Sequence, residues 1–271
     1  MSDRSAQRLA TIIAAIAASL LLLFLAVPTI TLVARGGAGG LRGLLADAEL
    51  RDAITLTVIT ATASTLLAVF LGTPLAWWLV RRDFRGRSLV DAVLDLPLLI
   101  PHPVAGIALL LMLSRGSPLG AALLAVGIRV VSTPLGIVAA MLFVSAPLYV
   151  SAAREAIARV DSRYEGVART LGDTHWRALR RVTLPLARRG LLAGAVVSWA
   201  RASSEFGAIV ILAYHPRVAS VLSYDRFTSY GLGEALPVAA ALVLVALVPL
   251  VILRALGAGD SRLAGERPPR A

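Results

Sequence analysis

Six long apolar segments leave this chain very few folds that it can adopt. Each holds about 20 mostly apolar residues, the length that a helix needs to cross a bilayer, whereas soluble helices carry apolar stripes three or four residues apart. The composition agrees, because 58% of the 271 residues are hydrophobic and only 16% are charged. We therefore expect an all-α, multi-pass membrane protein with six spans, at residues 9–33, 53–80, 92–113, 134–153, 191–213 and 235–256.

The first segment has the flanks of a signal peptide, because Arg4 and Arg8 precede it. Its apolar stretch of about 25 residues is longer than the 7–15 residues of a signal-peptide core, and no A-x-A-like cleavage site follows. We therefore expect this segment to remain as a membrane anchor.

The basic residues predict how the chain sits in the cell membrane, and all 27 of them are Arg. With the N-terminus in the cytoplasm, 19 Arg fall on inside segments, 7 fall on outside loops and Arg201 falls within a span. Because Lys and Arg concentrate on the cytoplasmic side, we expect both termini there. Anionic lipid headgroups then balance the net charge of +11, and nucleic acid is not an expected partner. The loops are short, so we expect one membrane domain, residues 1–271, with its core at 53–256.

Several function classes lack the residues that they need. Without Lys there is no G-x-x-x-x-G-K-[ST] phosphate loop, so any ATP would have to be bound by another subunit. Cys is absent and His102, His175 and His215 are far apart, which argues against metal, haem and disulfide sites. A membrane enzyme should show a nucleophile–base pair, and we find none. A stand-alone secondary transporter should show paired halves and several midplane acids, but Glu205 is the one convincing intramembrane acid.

The cytoplasmic loop at residues 154–190 is too long to be a simple connection. Its sequence predicts a helical elbow: a short helix, a turn at Gly172, a second helix with Asp173 or Thr174 as N-cap, and a stop at Pro185. A basic loop that lies on lipid headgroups is the alternative. Apolar side chains on the elbow suit docking into a groove of a soluble partner, namely Leu171, Trp176, Leu179 and Val182.

At this loop the chain resembles the permeases of binding-protein-dependent ABC importers. Their signature is an E-A-A run, then Gly, then nine residues, then Ile/Val-x-Leu-Pro. Gly172, nine residues and the run 182–185 (Val-Thr-Leu-Pro) match it. The E-A-A positions fall on Gly166, Val167 and Ala168, and Glu165 stands one place early.

The resemblance implies the six-span ABC importer permease fold, with a cytoplasmic coupling helix between the fourth and fifth spans. It also implies a homodimer, a partner ATPase that binds ATP-Mg, and an extracytoplasmic binding protein. The chain itself would then be no enzyme and would hold no cofactor. The residues that the resemblance assigns to coupling with the ATPase are Glu165, Gly166, Ala168, Leu171, Gly172, Trp176, Val182, Leu184 and Pro185.

Two further stretches narrow the resemblance to the oxyanion importers. Residues 95–110 (DLPLLIPHPVAGIALL) and 201–208 (RASSEFGA) are similar to molybdate/tungstate permeases and to their sulfate relatives. Residues 224–232 (YDRFTSYGL) are similar to the molybdate/tungstate type in particular. The resemblance implies import of tungstate or molybdate, with a sulfate/thiosulfate permease as the alternative.

Ionisable residues inside a span are costly and therefore suggest function. Arg201 and Glu205 lie one turn apart, so they either line the translocation pathway or form an i,i+4 ion pair that only stabilises packing. Ser203 and Ser204 either line the same pathway or are small residues that let helices pack closely.

Three prolines, at 97, 101 and 103, predict a bend near the start of the third span, and we favour a structural bend over a gate. His102, between two of them, is interpreted as a satisfied polar residue. Trp77 and Trp78 are interpreted as anchors at the membrane surface.

Overall fold

The computed structural model describes residues 3–264, which form helices and turns with no β-strand in that range. Arg267 and Arg270, which the topology prediction used, lie outside the described residues. The helices are α1 (Asp3–Ala46), α2 (Ala48–Arg81), α3 (Arg87–Leu99), α4 (His102–Leu113), α5 (Pro118–Ala125), α6 (Pro134–Ala158), α7 (Ser162–Thr170), α8 (His175–Ala178), α9 (Leu184–Ser203), α10 (Gly207–Leu212), α11 (Ala219–Tyr230) and α12 (Leu232–Ala264).

Within residues 3–264, four stretches of helix are long and apolar enough to cross a membrane without a break. They contain the second and fourth predicted spans and most of the first and sixth, and their bounds are Ala10–Ala46, Ala48–Arg81, Pro134–Ala158 and Leu232–Arg254. The multi-pass helical prediction is confirmed by these helices.

The third predicted span, residues 92–113, is not one helix. It consists of the end of α3 and the whole of α4, and the two helices meet at an angle of 116°. Ile100 and Pro101, which join them, are extended, with ψ angles of 142° and 135°. A residue before proline avoids the helical region, and proline has no N–H to continue the helical hydrogen bonds. Pro101 and Pro103 therefore break the helix here.

The fifth predicted span, residues 191–213, is also divided. It lies on the end of α9 and on α10, which are separated at residues 204–206. α9 carries three arginines, Arg188, Arg189 and Arg201, so this helix is less apolar than the long spans, although only Arg201 lies within residues 191–213. The buried Glu205 carboxylate in the gap bonds a backbone N–H of α10, which compensates for the interrupted ladder.

Helices α2, α6 and α9 form the centre of the bundle, and α1 packs along α12. Small side chains let the central helices approach one another, as is usual in membranes. Tyr149 of α6 is fully buried there, and its hydroxyl lies 2.6 Å from Thr73 Oγ1 of α2.

Ion pairs at the end of the bundle that holds the α1–α2 turn tie that turn to α11. Arg226 Nη2 lies 2.7 Å from Asp47 Oδ2 and 3.0 Å from Glu49 Oε2. Arg217 pairs with Glu49 and Asp225. Asp225 and Arg226, near the start of the YDRFTSYGL stretch on α11, therefore belong to this network of ion pairs.

Candidate functional site

The predicted elbow is present between α6 and α9, as helix α7, a turn and helix α8. Gly172 in the turn has φ = +98°, a conformation that L side chains rarely adopt. Thr174 caps α8, because its Oγ1 accepts a hydrogen bond from Arg177 N at 3.3 Å. The sequence left the cap open between Asp173 and Thr174, and the structure assigns it to Thr174.

The outer face of the elbow is apolar at several points. Leu171 is 83% exposed and Trp176 is 52% exposed, and Val167 is exposed beside them. Leu179, predicted as a docking side chain, is instead fully buried, because it turns towards the bundle at the start of the segment that leads into α9. The exposed part of the elbow is therefore the outer face of α7, the turn and the start of α8.

Glu165 of α7 faces inward and holds the elbow to the bundle. Arg81 Nε, at the end of α2, lies 2.9 Å from Glu165 Oε1, and Thr183 Oγ1 donates to the same oxygen at 2.6 Å. Arg81 Nη2 also donates to the carbonyl oxygens of Val160 at 2.8 Å and Ile157 at 3.4 Å. We call these contacts the elbow joint. The Arg81–Glu165–Thr183 part connects α7 to α2 and to the segment before α9.

The other predicted coupling residues are distributed over both faces of the elbow. Ala168 is buried with Glu165, whereas Gly166 is exposed. Val182 and Leu184 are half-buried, and Pro185 is exposed in the first turn of α9.

The prediction that helix stops at Pro185 is wrong. α8 continues through a π-helical turn, Leu179–Thr183, directly into α9, and Pro185 lies in the first turn of α9. Proline removes one donor from the ladder and crowds the preceding turn, and a π-helical turn is a known way to accommodate such a defect.

The breaks in the third and fifth predicted spans lie against each other, and we call this region the double break. Gly207 begins α10 directly against the start of α4: a Cβ there would lie 2.7 Å from His102 Cβ and 3.1 Å from Pro103 Cδ. Irregular backbone at membrane depth must be buried in protein or line a water-filled cavity. In transporters, discontinuous helices of this kind form substrate sites.

Three ionisable side chains meet at the double break. Arg201 Nη2 lies 2.7 Å from Glu205 Oε2 and 2.8 Å from His102 Nε2. Glu205 is 1% exposed, and its Oε1 accepts a hydrogen bond from Ala208 N at 2.8 Å. The i,i+4 ion pair that the sequence allowed is therefore formed, and His102 joins it.

The two serines of this region differ in exposure. Ser203 is buried and donates to the Ala200 carbonyl oxygen, whereas Ser204 is exposed and donates to the Arg201 carbonyl oxygen. Their oxygens can still accept a hydrogen bond.

Sequence reasoning missed three contributors: His102 at the double break, and Arg81 and Thr183 at the elbow joint. The prolines around His102 were the signal that the chain is bent there. Arg81 looked like one more cytoplasmic arginine, and nothing local distinguishes it. Among the described residues no group of three or more His, Cys, Asp or Glu could hold a metal ion.

A profile of the family described as "Binding-protein-dependent transport system inner membrane component" matches residues 66–264. The molybdate/tungstate transport system permease protein WtpB of Thermococcus kodakarensis is 44% identical over 210 residues, which are 78% of this chain and 80% of the relative. The sulfate transport system permease protein CysT of Synechocystis is 32% identical over 253 residues, 91% of this chain and 88% of the relative.

Solved structures resemble the fold as well. A bacterial ABC transporter involved in the import of the acidic polysaccharide alginate superposes with a TM-score of 0.69 at 19% identity, over 96% of this chain and 98% of that one. At this identity the likeness concerns the fold.

Proposed function

The chain belongs to the family of binding-protein-dependent transport system inner membrane components, and from that premise we propose that it is the permease of an ATP-driven importer of tungstate or molybdate. The observation that carries the substrate is the 44% identity to a molybdate/tungstate permease over 78% of the chain. A sulfate permease at 32% identity makes sulfate the second candidate.

The elbow is the proposed docking site of a cytoplasmic ATPase subunit. Leu171 and Trp176 present exposed apolar surface, which a partner could shield from water. The exposed side chains around it are positively charged: Arg169, Arg177 and Arg180. An amphipathic helical surface of this kind suits a groove on a soluble partner. The elbow joint would pass a movement of α7 to α2 and to the start of α9. We further propose that both termini are cytoplasmic, as the distribution of Arg favours.

The double break is proposed to line part of the translocation pathway. The side chains assigned to it are Arg201, Ser203, Ser204 and Glu205. Two copies of the chain would enclose one pathway, and an extracytoplasmic binding protein would deliver the anion to its outer mouth. High affinity then belongs to the binding protein, because a deep well inside the membrane would hold the anion back.

The test is uptake into liposomes that contain the chain with its ATPase, with ATP inside and the binding protein outside. We expect ATP-dependent uptake of radiolabelled molybdate that unlabelled tungstate suppresses at a lower concentration than sulfate does. Equal suppression by sulfate would favour the second candidate. The chain without its ATPase should hydrolyse no ATP, and uptake that needs no ATP would contradict the proposal.

A further inference from the structure

His102, Arg201 and Glu205 form a cluster that can do more than hold helices together. We propose that this cluster is a charge-balanced oxyanion contact, in which Arg201 and His102 donate hydrogen bonds to the anion and Glu205 keeps the contact weak. The inference rests on the proposed function, because it concerns an anion in the pathway.

Glu205 supports the cluster from inside. It is 1% exposed, and its two oxygens accept hydrogen bonds from Ala208 N and Arg201 Nη2. Its position is fixed further by Ser220, whose hydroxyl donates to the Glu205 backbone carbonyl oxygen at 2.7 Å. Glu205 therefore contacts the protein and not the pathway, and its charge opposes that of Arg201.

Arg201 has donors to spare. Nη2 serves both Glu205 and His102, whereas Nε and Nη1 have no hydrogen-bond partner among the described residues. The side chain is 23% exposed, so these donors can meet a ligand at the surface of the chain. Nε–H and Nη1 lie on opposite edges of the flat guanidinium, so each can offer an oxyanion one charge-assisted hydrogen bond.

His102 supplies one more donor. Both ring nitrogens of His102 lie near Arg201 Nη2, Nε2 at 2.8 Å and Nδ1 at 3.3 Å, and because a guanidinium can only donate, the ring nitrogen that bonds it is the acceptor. Nδ1 is 3.8 Å from Glu205 Oε2, which is beyond hydrogen-bond distance. The ring is 44% exposed, so the ring nitrogen that does not accept from Arg201 can donate to a ligand.

The charges decide how firmly an anion is held. An isolated Arg beside the pathway would bind a dianion tightly and release it slowly, since Coulomb attraction is strong away from bulk water. The buried carboxylate offsets that charge and leaves mainly hydrogen bonds to attract the anion. Such a contact lets an anion pass, which is what a pathway requires.

The decisive variant is Glu205→Gln, because glutamine keeps the shape and removes the charge. Its single carbonyl oxygen can accept from Ala208 N or from Arg201, and not from both as the carboxylate does. The variants are tested in nanodiscs that hold the permease–ATPase complex without the binding protein, by equilibrium dialysis with radiolabelled molybdate. We expect Glu205→Gln to bind molybdate about tenfold more tightly than the unchanged complex. In liposomes the same variant should transport more slowly.

His102→Ala keeps the proposal testable even if Glu205→Gln does not fold, because His102 is partly exposed and its loss leaves no buried charge. Alone it should weaken molybdate binding, and in the Glu205→Gln background it should remove most of the gain. Glu155→Gln and His215→Gln, at exposed positions, are the matched controls and should change neither property. Unchanged or weaker binding by Glu205→Gln, or unchanged binding by His102→Ala, would overturn the inference.

The same experiment separates this inference from the proposed function. If the unchanged complex imports no molybdate, tungstate or sulfate, the proposed function fails and the inference falls with it. If the unchanged complex imports molybdate and the His102 and Glu205 variants bind and transport it normally, the inference alone fails.

Discussion

Two buried glutamates, Glu165 in the elbow joint and Glu205 at the double break, are held in similar ways but have different surroundings. Each pairs with an arginine, at 2.9 Å for Arg81 and 2.7 Å for Arg201, and each accepts a second hydrogen bond from the protein. Arg81 uses a further nitrogen to bond the carbonyl oxygens at the end of α6. Arg201 instead leaves Nε and Nη1 open and contacts an exposed histidine.

The difference separates two roles for an Arg–Glu pair. At the elbow joint the arginine bonds two parts of the protein, so the pair transmits position. At the double break the arginine bonds Glu205 and His102 through Nη2 alone and leaves two nitrogens open, so the pair can also meet a ligand. What else the arginine bonds therefore indicates the role: backbone carbonyl oxygens for Arg81 and a partly exposed ionisable side chain for Arg201.

The largest effect is expected from Gly172→Pro, which acts on the elbow alone. Proline cannot adopt φ = +98°, and it removes the N–H that Gly172 donates to the Arg169 carbonyl oxygen at 3.1 Å. We expect loss of uptake with normal insertion in the membrane. Gly172→Ala should reduce uptake less, because it strains the same turn by only about 1–2 kcal/mol.

Gly116→Ala is the control for the turn, since a Cβ there meets nothing within 4 Å and its φ is not positive. Normal transport by Gly172→Pro would contradict the assignment of coupling to the elbow.

The next largest effect is expected at the double break. Arg201→Ala leaves the buried Glu205 carboxylate without its cation and should destabilise the protein by about 3 kcal/mol. Replacing both residues by alanine should restore most of the stability but not the transport of molybdate. Thermal unfolding in detergent and liposome uptake measure the two properties in one double-mutant cycle. Recovery of both would show that the pair only supports packing.

A smaller loss is expected at the elbow joint, where Arg81→Ala should cost about 2 kcal/mol. Adding Glu165→Ala should not restore stability, because the carbonyl oxygens of Val160 and Ile157 still lack their donor. This failure to recover, measured by thermal unfolding, distinguishes the joint from the double break. Arg159→Ala, from an exposed pair with Glu155 at 3.8 Å, is the control and should change stability little.

The smallest effect concerns Asp47, a more exposed carboxylate that is paired with Arg226. Partial burial by itself would raise the pKa of Asp47, but the hydrogen bond from Leu50 N–H and the Arg226 guanidinium outweigh it, and the pKa is lowered. A lowered pKa in the folded state means stability that is present above the unfolded value of about 3.9 and is lost as pH falls through the folded pKa.

Asp47→Asn should therefore make the free energy of unfolding depend slightly less on pH below about pH 4. Near pH 7 the variant should differ from the unchanged chain only by a constant offset. Thermal unfolding across that range is the measurement. An unchanged acid profile would contradict the lowered pKa.

The length of the apolar segments was enough to predict the long helices. A chain that crosses lipid must satisfy its own backbone hydrogen bonds, and a helix does so within one segment. Gly172 and the residues after it predicted the elbow, since a turn with positive φ and a cap have local signatures. The double break could not be foreseen in the same way. The prolines near His102 indicate a bend, but only the folded chain shows that this bend meets the break at residues 204–206 between α9 and α10. Arg81 and Glu165 are 84 positions apart, and no local pattern joins them.

The measurement that tests the division of roles most directly is the rate at which a charged thiol reagent modifies single cysteines in the reconstituted complex. The chain has no Cys of its own, so Leu171→Cys and Ser204→Cys each supply the sole thiol. We expect the ATPase subunit to protect position 171 and molybdate not to, and molybdate to protect position 204 in complexes with and without nucleotide. Protection of position 171 by molybdate alone, or no protection of position 204 by any oxyanion, would contradict the account.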